Sequence, residues 1–320
     1  MKNLIRFLTL SMLYSIITLN AYQHELAVCA IFQNEGRFLK EWIEFNILTG
    51  VEHFYLYNNY STDNYAEVLK PYINAGIVDC IDWPYLYEHE ARNQILAEEH
   101  CGNSIQGRVQ GRAQILAYNH CLDNVRGKVK WLMCIDVDEF LFPVQCDDLR
   151  EFLKDYEEFG AVCANWVMFG TSYVKKIPTN KLLIETLIMS SSLDHYRNRT
   201  IKSIIQPEKV LQMSAHRATR FFSGYFQVTA NKECFKGNKT LVCAIDKIRI
   251  NHYWVGDEQY LYEVKLPRLL ARNTDKWTQK QESKSFLKRL DLLNKEKDTV
   301  ISKYVKQLRN KMFNPNFKSI

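Results

Sequence analysis

The sequence predicts an α/β fold with a mostly parallel sheet flanked by helices, and three observations predict it. Continuous apolar runs recur at 26–32, 131–135 and 161–169, as expected of strands buried on both faces. Stretches with helical spacing alternate with such runs through the first third of the chain, the pattern of a doubly wound sheet. Polar segments at 33–36, 58–64 and 136–139 follow strand-like runs. In open sheets of this kind ligands sit outside the carboxyl ends of the strands, so those three loops are expected to gather at one site.

Taken in order, Lys2 and Arg6 precede an apolar run at 7–19, softened by Thr9, Ser11, Ser15 and Thr18. That length suits a signal-peptide core and is short for a membrane span. Leu19-Asn20-Ala21 is an acceptable cleavage site; a short signal anchor and a buried helix are the other readings of 1–21. The expectation is export, or a membrane-associated place in the secretory pathway. The globular fold is expected to begin at Glu25, with almost no stem before it. After the strand at 26–32, Phe38, Leu39, Trp42, Ile43 and Phe45 follow helical spacing up to Gly50. A strand at 53–57, a helix to about Ala75 closed by Gly76, and a strand at 77–81 continue the alternation. Residues 106–122 read as a helix leading into the run at 131–135. A polar helix near 147–156, a strand at 161–169 and a mixed basic region at 181–225 follow. Residues 257–270 read as a helix. Residues 281–312 read as one long amphipathic helix, with Phe286, Leu290, Leu293, Ile301, Tyr304, Leu308 and Met312 on one stripe. The expected division is 1–21, 25–272 and 276–320.

Hydrophobic residues make up 47% of the 320, enough for a substantial core. The net charge of +6 is uneven: residues 276–320 carry twelve basic and four acidic side chains, or +8, which leaves about −2 for the rest. The basic face of the last helix is either solvated or a contact for an anionic membrane surface. With that charge confined to one tail and no RNA-binding motif, nucleic acid is not an expected partner. None of the nine cysteines forms a Cys-x-x-Cys pair, which disfavours zinc. Cys234 and Cys243 bracket a short polar loop and are placed to pair in an oxidising compartment.

Residues 131–143 organise the chain. The apolar run delivers Asp136, Asp138 and Glu139, then returns to Phe140-Leu141-Phe142-Pro143. Two apart in a strand, Asp136 and Asp138 point the same way. Like charges that close repel unless a cation lies between them. Oxygen donors suit magnesium or manganese, which keep waters and bridge substrate phosphates. A bare Asp-x-Asp also suits a solvated acidic turn; the apolar flanks favour a site. Arg112, on the helix ahead of this strand, either reaches a diphosphate or lies on a solvated face. His252, in Asn251-His252-Tyr253-Trp254, is either a ligand or a satisfied core histidine.

The stretch 27–35 (AVCAIFQNE) resembles the opening strand of GT-A fold glycosyltransferases. More specific are 38–46 (FLKEWIEFN) and 50–59 (GVEHFYLYNN). With 135–140 (IDVDEF), 164–170 (ANWVMFG), 202–205 (KSII) and 251–254 (NHYW), they resemble glycosyltransferase family 92 in order from about 26 to 270. The resemblance implies a GT-A, Rossmann-like fold and inverting transfer of a hexose, galactose in known members, from a UDP-sugar to a glycan acceptor. It implies manganese, with magnesium as the substitute. By the same resemblance Asp136 lies near the ribose or sugar and at the metal, Asp138 ligates the metal, and His252 is a further ligand or diphosphate contact. Glu35 and Asp63 border the nucleotide, Asn58 lies near the base or ribose, Lys202 neutralises phosphate charge and Trp166 lines the sugar pocket. Inversion also needs a base for the acceptor hydroxyl. Glu185, Asp246 and Glu258 are candidates, Glu185 first, because 183–185 resembles a family segment.

Two other readings compete. One is a non-catalytic protein that binds glycans or nucleotide sugars on the same fold, since fold does not fix function. The other is a metal-dependent phosphohydrolase with Asp136 as nucleophile. Such enzymes usually carry their Asp-x-Asp on the first strand, whereas here it follows several βα units.

Overall fold

The computed structural model describes residues 22–84, 105–270 and 284–314. The signal-like segment 1–21 lies outside the described residues, as do 85–104 and the first part of the expected last helix. The strands are β1 (His24–Phe32), β2 (His53–Asn58), β3 (Val78–Asp82), β4 (Val129–Cys134), β5 (Glu139–Pro143), β6 (Ala161–Met168), β7 (Met189–Ser190), β8 (Ile201–Ile205), β9 (Val210–Met213), β10 (Ala218–Phe221), β11 (Gln227–Val228), β12 (Ile248–His252) and β13 (Glu296–Lys297). The longer helices are α1 (Gly36–Leu48), α2 (Tyr65–Asn74), α3 (Ile105–Val125), α4 (258–270) and α5 (Val305–Phe313).

Nine strands form one sheet in the order β3-β2-β1-β4-β8-β6-β12-β5, with β11 beside β6. Its first four strands are parallel. β8 then runs antiparallel between β4 and β6, and β5 antiparallel along β12. The architecture is the mixed α/β arrangement the apolar runs predict, with the runs at 26–32 and 131–135 in the parallel half and the run at 161–169 beside the antiparallel β8. β1 shows why they are continuous: Leu26, Val28, Ala30 and Phe32 face the core beneath α1, while Ala27 and Cys29 face the core beneath α3. With side chains alternating between faces, both faces must be apolar. Trp42 of α1 donates its indole N–H to the Glu139 carbonyl (2.9 Å), and Phe45 packs edge-on against Phe140 (5.0 Å between ring centres). These contacts fix the helix against the segment just after the two aspartates.

Two expectations are corrected. The last helix is not continuous: a helical stretch at 284–290 gives way to single turns at Asp291–Leu293 and Val300–Tyr304, with β13 between them, before α5 begins. The break follows tertiary bonds. Asn294 accepts from the Ser172 N–H (2.8 Å), and Glu296–Lys297 pairs with Met189–Ser190. The apolar stripe is nonetheless buried, at Phe286, Leu293, Ile301, Tyr304 and Leu308. Part of the basic face is spent on the body: Lys303 donates to the Pro143 carbonyl (2.9 Å), Arg309 to Glu185 (2.6 Å) and Lys311 to Glu44 (3.2 Å). This takes three cations from the face a membrane contact would use. Second, Cys234 and Cys243 are both free thiols. Cys243 instead lies 3.8 Å from the Trp166 carbonyl.

Glu41 of α1 is almost wholly buried, and its carboxylate accepts from the N–H groups of Leu183 (2.8 Å) and Ile184 (3.1 Å). Burial pushes its pKa up to about 7, against the two hydrogen bonds. A carboxyl raised on folding stabilises the protonated form. Its contribution is therefore present below the unfolded value and is lost as pH rises through the folded one. Between pH 4.5 and about 7 the shift is worth about 3 kcal/mol. Urea unfolding of Glu41→Gln across that range is expected to lose this part of the wild-type pH slope.

Candidate active site

The acidic segment is a turn rather than a continuing strand. β4 ends at Cys134. The Glu139 N–H donates to the Asp136 carbonyl (3.0 Å), and the Asp136 N–H to Glu139 Oε2 (2.8 Å). The turn sends the two aspartates into different surroundings, where strand geometry predicted a shared face. Asp136 accepts from Gln114 Nε2 (2.5 Å) and the Tyr118 hydroxyl (3.2 Å), and its other oxygen lies 3.1 Å from Lys202 Nζ. Asp138 meets other partners, with Oδ1 3.4 Å from His252 Nε2 and Oδ2 accepting from Lys265 Nζ (2.7 Å).

Below Asp136 sits a buried charge cluster. Lys202 is fully buried at the start of β8, the antiparallel strand, so it meets the carboxyl end of β4. Its ammonium is 3.5 Å from Glu139, itself wholly buried, and donates to the Ala215 carbonyl (3.0 Å). Burial works against the lysine charge, but Asp136 and Glu139 outweigh it and hold its pKa above the ordinary value. Burial pushes the Glu139 carboxyl well up, with Lys202 opposing. For Asp138 the balance reverses. Lys265 and His252 overcome burial and hold its carboxyl well below the usual range.

The cleft above has a volume of about 480 Å³. Glu35, Asp136, Asp138, Trp166 and His252 all line it. Trp166 and His252 pack with ring centres 4.3 Å apart, and the Trp166 indole nitrogen and His252 Nδ1 are buried without a partner. Glu35 accepts from the Tyr260 hydroxyl (2.7 Å) and lies 3.4 Å from Arg268; burial raises its pKa. Asn58 stands just behind, donating to Tyr65 (2.8 Å) and Asp82 (3.1 Å), and it is Asn59 that reaches the cleft. Asp63 braces the first loop by accepting from the Gly36 N–H (2.7 Å). Arg112 is exposed and does not line the cleft. Glu185 is not brought to it either: its carboxylate accepts from the Leu182 N–H (3.1 Å) and Arg309, in a separate groove beside α5. Asp246 is exposed, and Glu258 lies outside the cleft lining.

Sequence reasoning missed Lys265, Arg268, Arg197, Arg289 and Trp254, all on the cleft wall. It also gave no role to Gln114 and Tyr118. Those two stand four apart on α3, so they share a helix face, and that face looks at Asp136.

A hard divalent ion needs several close oxygen or nitrogen donors. Two donors about 2.1 Å from one ion and at right angles lie about 3 Å apart, close to the Asp138–His252 separation of 3.4 Å. Among the described residues no group of three or more His, Cys, Asp or Glu is arranged to hold a metal. Asp138 and His252 alone are thus a partial donor set, and a magnesium or manganese ion there would take the rest of its shell from phosphate oxygens and water.

Residues 24–311 match the family model Glycosyltransferase family 92. Glycosyltransferase family 92 proteins of Ricinus communis and Oryza sativa subsp. japonica are similar to this chain. The first is 26% identical over 190 residues, covering 58% of this chain and 29% of the relative. The second is 28% identical over 159 residues, covering 48% and 23%. The chain thus spans under a third of the length of these two curated relatives. Among solved structures, S. aureus TarS 1-349 in complex with UDP has a TM-score of 0.33 at 10% identity, covering 57% of this chain and 47% of that one. Glucosyl-3-phosphoglycerate synthase from Mycobacterium tuberculosis, in complex with Mn2+, UDP and glucosyl-3-phosphoglycerate, has a TM-score of 0.27 at 14% identity, covering 58% and 57%. Likeness of that size leaves the assignment to the family match. That match takes in 288 of the 320 residues, including every residue that lines the cleft: the chain belongs to glycosyltransferase family 92.

Proposed function

We propose that the chain is an inverting glycosyltransferase that moves a hexose, galactose first among the candidates, from a UDP-sugar to a hydroxyl of a glycan acceptor. The observation that carries this reading is the pairing of Asp138 with His252 on the lining of the cleft, in a member of this family. Asp138 and His252 would hold a divalent cation, manganese or magnesium, which would supply charge to neutralise the departing diphosphate. The remaining work falls to side chains. Gln114, Tyr118 and Lys202 fix Asp136 in place, so its carboxylate can accept from a ribose or sugar hydroxyl without reorganising. In this role Lys202 acts through Asp136, from beneath it. Glu35 and Asn59 border the nucleotide, and Asn58 and Asp63 brace the loops that carry them. The Trp166 ring gives the sugar an apolar wall and its indole N–H a donor. The carboxylates that line the cleft among the described residues are Glu35, Asp136 and Asp138, and Glu185, Asp246 and Glu258 are not among them.

The test is UDP release from a panel of UDP-hexoses, with and without glycan acceptors and Mn2+. Acceptor-dependent release is expected, falling about 100-fold or more in His252→Ala, the loss typical of removing one group that stabilises the developing charge. Nucleotide-sugar binding without turnover would favour the binding-protein reading. Acceptor-independent attack on phosphate esters would favour the phosphohydrolase.

A further inference from the structure

We propose that Lys265 and Arg268 form the subsite for the donor's diphosphate, with Lys265 exchanging Asp138 for phosphate oxygens when the nucleotide binds. The inference rests on the glycosyltransferase reading and assigns to that site a pair of cations that no motif in the sequence marked.

The placement starts in the helix. α4 begins at Asp257, whose side chain accepts from the Tyr260 N–H (2.9 Å). Its middle turn, Leu261–Lys265, is a π turn. At about 100° per residue, an ordinary helix would put Tyr260 and Lys265 about 140° apart. The wider turn brings residues five apart onto one face, and Lys265 Nζ lies 5.5 Å from the centre of the Tyr260 ring. Three residues on, Arg268 shares that face. Lys265, Arg268 and the Tyr260 hydroxyl thus meet the two acidic groups of the first loop and the acidic turn, Glu35 and Asp138.

The donors are only partly used. An ammonium has three N–H donors, and Lys265 makes one hydrogen bond, to Asp138. Arg268 has five; it donates to the Gln33 carbonyl (2.8 Å) and to Glu35 (3.4 Å). Both side chains line the cleft, so their remaining donors have open space to serve. The local charge also favours an anion. Lys265, Arg268, Arg197 and Arg289 line the cleft against Glu35, Asp136 and Asp138, and Asp136 is already matched by Lys202 from below. Arg197 and Arg289 have no carboxylate partner among the described residues. A cleft short of negative charge is completed by a ligand that brings it, and planar guanidinium and ammonium together suit phosphate oxygens. The same geometry makes Lys265 a competitor of the cation, because both claim the Asp138 carboxylate.

Calorimetric titration of UDP, UMP, uridine and Mn2+ into the full chain tests this, using wild type, Lys265→Met, Lys265→Arg and Arg268→Met. The expected result is a preference for UDP over UMP in wild type that falls at least tenfold in Lys265→Met. UMP and uridine binding should be little changed. Lys265→Arg should keep most of the preference, Arg268→Met should weaken UDP selectively, and Mn2+ alone should bind Lys265→Met more tightly than wild type. Unaltered UDP affinity in Lys265→Met, or equal loss of UDP and uridine, would overturn the subsite. If Lys265→Met fails to melt cooperatively, Arg268→Met and Lys265→Arg decide the question on the same criteria. Failure of folded wild type to bind any uridine nucleotide would overturn the transferase reading and the subsite with it.

Discussion

Replacing Lys202 with methionine is expected to destabilise the fold by about 3–5 kcal/mol, because removal of one partner leaves buried charge uncompensated. Lys202 is fully buried, and its ammonium is the one cation within reach of both Asp136 (3.1 Å) and Glu139 (3.5 Å) among the described residues. Methionine fills the space but offers no charge. Asp136 retains Gln114 and Tyr118, whereas Glu139 keeps only the Asp136 N–H and has one oxygen without a partner. Glu139 therefore takes up a proton, and the sign of the pH effect follows. Its folded pKa is raised above the unfolded value, so the stabilising protonated form is present at low pH and is lost as pH rises. The deficit of Lys202→Met should be smallest in acid and grow towards neutrality. Adding Glu139→Gln should recover part of it. Urea unfolding of the single and double variants at several pH values checks both statements. A cost under 1 kcal/mol would show that the cluster does not hold the turn.

The second large effect is expected at Asp138. Substitution by asparagine keeps the shape of the side chain and removes the charge that faces both His252 and Lys265. Acceptor-dependent transfer should fall about 10³-fold, towards the upper range for loss of a single electrostatic group in a closed site. Stability should fall less than in Lys202→Met. Lys265 remains near Glu35, which gives it an alternative carboxylate, and it lies at the cleft rather than beneath it. The contrast separates the roles of two adjacent pieces of the acidic turn. Asp138 lines the cleft, and the Lys202–Glu139 pair lies beneath the turn.

The parallel half of the sheet was legible because strands buried on both faces leave unbroken apolar runs, as in β1 and β4. Asp138 was reached through the spacing of the acidic segment and His252 through the family resemblance, and the structure brings them together. The path of the acidic segment was not legible. Ile135 and Val137 prolong the apolar alternation, and only the hydrogen bonds between Asp136 and Glu139 show that the strand has ended. Lys265 escaped notice for a related reason. A lysine in a helical pattern reads as solvated, and a π turn shifts the phase of every residue after it. The last helix was overread because its apolar stripe continues through the breaks. Burial preserves the stripe, while Asn294 and the β7–β13 pairing interrupt the backbone. Glu185 was chosen by local likeness, and the position of α5, with Arg309 on it, takes that carboxylate elsewhere.

On the proposed function, Asp138 and His252 would present a cation to a nucleotide diphosphate in this cleft. Calorimetric titration of UDP into residues 22–320, with and without Mn2+, in wild type and Asp138→Ala, tests it most directly. The account predicts UDP binding that Mn2+ strengthens in wild type, with that gain absent from Asp138→Ala. Equal UDP affinity with and without Mn2+ in wild type, or a manganese effect that survives in the variant, would contradict it.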